Sequence, residues 1–106
     1  MKIYDMGSYP GKQEQISIQK ETDLLPKIKE QLKTESELSD IRIDNLQIVA
    51  GTIVTKEKCF VKINDSGWLP LLEAGDYYTI SFEDVSINKI QLSENVTLVT
   101  FAYYFI

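Results

Sequence analysis

The last six residues of this 106-residue chain, Phe101-Ala102-Tyr103-Tyr104-Phe105-Ile106, are apolar on both parities of an extended strand. Successive strand side chains point to opposite faces, so a segment of this kind needs cover on both sides. Two arrangements satisfy it. Either the strand lies centrally in a sheet with a helix behind it, or one face waits for another chain.

The preceding residues supply the rest of such a sheet. Tyr78, Ile80 and Phe82 alternate with Thr79, Ser81 and Glu83, which predicts a strand buried on one side. Val85 and Ile87 give way to Ile90 and Leu92 on the opposite parity, so a corner is expected near Asn88-Lys89. Asn64-Asp65-Ser66-Gly67 and Glu73-Ala74-Gly75-Asp76 carry turn chemistry, and Ser93-Glu94-Asn95 turns the chain into its last strand. Between the first two turns, Trp68-Leu69-Pro70-Leu71-Leu72 reads as an edge or a short irregular strand because of its proline. Cys59, Val61 and Ile63 alternate with Phe60 and Lys62, after a polar hairpin end at Lys56-Glu57-Lys58. Ile41 and Ile43 share one parity while Leu46, Ile48 and Ala50 share the other, so these residues read as strand with a slip at Asp44-Asn45.

Upstream, Ile3, Tyr4 and Met6 form a short apolar segment. Gly7-Ser8-Tyr9-Pro10-Gly11 reads as a turn, and Ile16 and Ile18 mark a weak strand, either in a hairpin or in an extended arm. One helix is expected, over residues 23–35. Thr22 or Asp23 offers its cap, Pro26 suits its first turn, and Leu25, Ile28 and Leu32 recur at helical spacing. The fold class is therefore mainly β (α+β): an antiparallel β-sandwich or curved sheet with this helix packed on it, in a single domain over residues 1–106.

Composition excludes more chemistry than it suggests. The chain has no histidine and one cysteine, Cys59, which removes Ser/His and Cys/His nucleophile pairs and nearly every zinc constellation. Cys59 falls at an apolar strand position, where a thiol acts as a small hydrophobe. Glu83 and Asp84 are the only adjacent carboxylates, and strand neighbours point apart. No catalytic residue, metal ligand or cofactor is assigned. The net charge of −5 is the wrong sign for nucleic acid. It is concentrated late in the chain, where Lys89 stands alone against Glu73, Asp76, Glu83, Asp84 and Glu94. No apolar run approaches membrane-spanning length and no secretory signal opens the chain, so a soluble protein, cytoplasmic at synthesis, is expected.

Taken together, residues 59–106 follow a cadence: the strand CFVKIN, a DSG turn, WLPLL, the turn EAGD, the strand YYTISF, then VSINKIQL and the terminal strand ending FAYYFI. This order resembles the small antiparallel β-modules of bacteriophage tail, baseplate and head-accessory proteins. The resemblance implies half of a sandwich and a role in the virion. The helix departs from that pattern and suits an α+β roll of the cystatin-like kind instead.

Three functions are consistent with these features. The first is a non-enzymatic assembly protein contacting copies of itself or other virion subunits, with Trp68, Leu69, Tyr77 and Tyr103 as contact candidates. Trp68 stands beside a turn, where core packing and contact are both open, and one ring of the Tyr103-Tyr104 pair should face away from the core. The second is a small acidic inhibitor or immunity-type protein that covers a basic enzyme surface. The third is an α+β roll holding a small apolar ligand between helix and sheet.

Overall fold

A computed structural model describes residues 9–106. The expected apolar segment at Ile3, Tyr4 and Met6 lies outside the described residues, as do Gly7 and Ser8 of the expected turn and the side chain of Asp84. The elements in chain order are β1 (Tyr9–Ile18), α1 (Leu25–Glu35), α2 (Asp40–Asp44), β2 (Ile48–Thr55), β3 (Phe60–Ile63), β4 (Leu69–Pro70), β5 (Leu72–Ala74), β6 (Tyr77–Ile87), β7 (Ile90–Leu92) and β8 (Val96–Phe105). They form a five-stranded sheet in the order β1-β8-β2-β6-β5 and a three-stranded sheet in the order β4-β3-β7, with antiparallel pairing throughout.

The terminal strand lies inside the sheet, and only one of its two apolar faces is covered, since Ala102 and Tyr104 on the other face are exposed. β8 lies between β1 and β2, with Phe101, Tyr103 and Phe105 buried on the inner face. Those rings form a ladder, with centroids 5.2 Å apart from Phe101 to Tyr103 and 6.1 Å from Tyr103 to Phe105. Leu25, Ile28 and Leu32 of α1, Val61 of β3, and Ile90 and Leu92 of β7 join the same core. Burying this apolar side chain area supplies the main favourable term of folding.

Strand direction is bent at two places where one chain has an extra residue. Val49 on β2 and Val99 on β8 have no partner in the β2–β8 ladder. The second slip changes parity, so burial runs Val96, Leu98, then Phe101, Tyr103, Phe105.

The predicted turns are present. Asn64 adopts a positive φ of 55° in the β3–β4 turn, and Gly75 one of 65° in the β5–β6 turn. β6 ends at Ile87 and β7 begins at Ile90, which places the corner at Asn88-Lys89 and moves the chain from one sheet to the other.

Helix α1 starts two residues later than expected, at Leu25, with Leu24 as its N-cap residue. Asp23 does a different job. Its Oδ1 accepts the N–H of Leu25 at 3.1 Å and that of Ile90 at 3.0 Å, tying the helix start to β7.

Three local expectations are corrected. Ile41 and Ile43 belong to α2, not to a strand; Ser39 caps it by accepting the Arg42 N–H at 3.2 Å, and Ile43 is buried while Ile41 is exposed. The slip at Asp44-Asn45 is the end of that helix. Lys56-Glu57-Lys58 closes no hairpin, because β2 and β3 belong to different sheets. Tyr9, Pro10 and Gly11 are strand rather than turn, so the first described residues form part of the sheet.

Candidate interaction surface

The outer strand of each sheet on one side comes from a single stretch of chain. β4 is an edge of the small sheet and β5 an edge of the large one, with only Leu71 between them. Leu71 is buried and its N–H donates to the Cys59 carbonyl at 3.1 Å, which pins the crossover while its neighbours stay in solvent.

Large apolar side chains gather along this stretch. Leu72 is 67% exposed, Leu69 44%, Tyr77 42%, Phe60 41% and Trp68 36%. In β3, Cys59 and Val61 take the buried parity, whereas Phe60 and Lys62 take the outward one. Phe60 lies opposite Pro70, and Lys62 places its Nζ 4.7 Å from the centre of the Trp68 ring. That cation is attracted by the ring face and also shields part of it.

The contact candidates named from sequence divide accordingly. Trp68, Leu69 and Tyr77 are all exposed, Trp68 and Leu69 at β4 and Tyr77 at the start of β6. Tyr103 is not: it is 1% exposed, packed on the inner face between Phe101 and Phe105. The outward ring of the tyrosine pair is Tyr104. Sequence reasoning passed over Phe60 and Leu72. The signal for Phe60 was its shared parity with Lys62.

Cys59 is a core thiol. It is buried 3.7 Å from the Thr55 hydroxyl, and burial pushes its pKa up, against the opposing pull of that hydroxyl. A thiol so placed is a poor nucleophile. Tyr103 has a pKa pushed up to about 12, mainly by burial and secondarily by the Glu35 carboxylate, and its hydroxyl has no hydrogen-bond partner.

On the face of the large sheet opposite the core, Ala50, Thr52, Ser81, Glu83, Ala102 and Tyr104 border an open hollow of about 530 Å³. Its floor is made by short side chains, with the Thr52 and Ser81 hydroxyls 2.8 Å apart. The aromatic ladder and the buried residues of α1 belong to one core cluster. Among the described residues no group of three or more Cys, Asp or Glu is placed to hold a metal ion, and no helix is long and apolar enough to cross a membrane.

No family model, curated protein or solved structure matches this chain.

Proposed function

We propose that this chain is a non-enzymatic assembly module that works by contact with further copies of itself, in the manner of a bacteriophage tail or head-accessory component. The observation that carries this reading is the exposed apolar surface of β3 and β4, where Phe60 lies opposite Pro70 and Trp68 lies under Lys62, with Leu69, Leu72 and Tyr77 also exposed nearby in the chain. Solvated sheet surfaces are ordinarily dressed with charged side chains, and exposed apolar patches mark contact sites. The virion setting rests on the resemblance of residues 59–106 alone. Light scattering on the full chain tests the reading: the molar mass should rise above that of one chain as concentration increases. A mass that stays at one chain throughout contradicts it.

A further inference from the structure

Resting on that reading, we infer that copies of this chain meet face to face across the outer surface of β3 and β4, centred on Phe60, Trp68 and Pro70, and do not join by adding strand to strand.

Among the described residues every sheet edge is closed or interrupted. The free side of β7 is taken by the chain before α1, since the Leu24 N–H donates to the Ile90 carbonyl at 2.8 Å and the Glu21 N–H to the Leu92 carbonyl at 2.7 Å. Between β3 and the end of β7, Phe60 spends its N–H on the Ser93 hydroxyl and its carbonyl on the Ser93 N–H, so neither faces β4. Leu71 bonds Cys59, so by ladder alternation Pro70 is the β4 residue turned outward, and it has no N–H to offer. In β5, the two-residue turn Gly75-Asp76 makes Ala74 and Tyr77 the closing pair. Glu73 is then the one residue whose backbone faces away from β6. A two-fold strand pairing there would set Glu73 against Glu73, like charges directly opposite. On the far edge of the large sheet, β1 carries Pro10 and is kinked at Gln15, whose φ is 51°. Proline, short strands, charge and kinks are how sheets avoid edge pairing.

The outer surface of β3 and β4 carries only Lys62 as a charge among its apolar side chains, and that ammonium is held over the Trp68 ring. Phe60 and Pro70 lie opposite each other, Trp68 stands beside them under Lys62, and the rim carries both signs: Lys58 and Lys62 along β3, with exposed Asp65 and Glu94 in the turns at either end. A rim of mixed sign suits a second copy, because a two-fold rotation can bring the lysines of one chain to the carboxylates of the other. A partner of a single sign would leave half of that rim mismatched.

Trp68 is the only tryptophan, so its emission reports on this surface directly. The experiment follows molar mass and Trp68 emission together during dilution, for the wild-type chain, Phe60→Ser and Glu73→Pro. As the wild-type mass rises, Trp68 emission should move to shorter wavelength. Phe60→Ser should shift the association midpoint to higher concentration by about tenfold or more, the effect of truncating a central contact residue. Glu73→Pro, which removes the outward N–H of β5, should leave the midpoint unchanged. Wild-type association without any change in Trp68 emission, or association lost in a folded Glu73→Pro but kept in Phe60→Ser, overturns the face-to-face inference and leaves the assembly reading standing. A wild-type chain whose mass never rises defeats the assembly reading itself.

Discussion

The ring of Tyr103 lies directly over Gly11 on the neighbouring strand, so close that a β-carbon at Gly11 would overlap the ring. Glycine in a strand interior commonly marks such a close approach. Here it lets the largest fully buried side chain of the core settle onto the sheet. The arrangement buries a hydroxyl with no partner, and an unpaired buried polar group is destabilising by about 1–3 kcal/mol. Tyr103→Phe keeps the ring and removes that group, so it should raise stability by about 1 kcal/mol at neutral pH, read from the denaturant midpoint.

Tyr103 also sets a pH dependence. Its phenol is raised from 10.0 to about 12 in the folded chain, chiefly by burial. Both states hold the proton below pH 10, so the contribution is fully present there; above it the unfolded chain ionises first and stability falls until the folded group ionises near pH 12. Urea melts across the alkaline range should show a smaller loss for Tyr103→Phe than for wild type. Equal losses would mean that Tyr103 is not the group responsible.

Gly51 has the same role on the other side of β8. A β-carbon there would lie 2.8 Å from the Phe101 ring and 2.9 Å from the Ala102 carbonyl oxygen. The backbone oxygen cannot step aside, so Gly51→Ala should cost about 1–3 kcal/mol. Gly67 has nothing within 4 Å, and Gly67→Ala should change stability by less than about 1 kcal/mol. Thermal melts of the two variants give the contrast.

Cys59 should behave as core rather than as a reactive thiol. Burial raises its pKa, and the thiolate is the species that reacts. An aromatic disulfide reagent at mildly alkaline pH should label the native chain far more slowly than the unfolded one. Equal rates would place the thiol at the surface.

These features differ in how far sequence exposes them. The interior place of β8 was legible in its apolar run, although its Ala102 and Tyr104 face is left exposed, and the turns at Asn64 and Gly75 follow from residues that tolerate a positive φ. α2 was hidden because Ile41 and Ile43 are two apart, the spacing of a strand face. What decides it is the Ser39 cap, together with tertiary contacts at Asp44, whose carboxylate lies 2.7 Å from Lys33 Nζ and whose carbonyl accepts from Lys29. Removing the cap by Ser39→Ala should cost about 0.5–2 kcal/mol. The choice between Tyr103 and Tyr104 depends on the extra residue Val99, which shifts the parity of everything after it. Nothing in a run of Thr and Val residues announces that slip. Exposure of Leu72 depends on which strand ends up outermost, a property of the assembled sheet.

The central claim is that Phe60, Trp68 and their neighbours form a contact between copies. Sedimentation velocity of the full chain, wild type beside Phe60→Ser at matched and rising concentrations, addresses it most directly. The account predicts a wild-type boundary that sediments faster as concentration rises, while the variant remains a single chain over the same range. Two boundaries that match at the mass of one chain would contradict it.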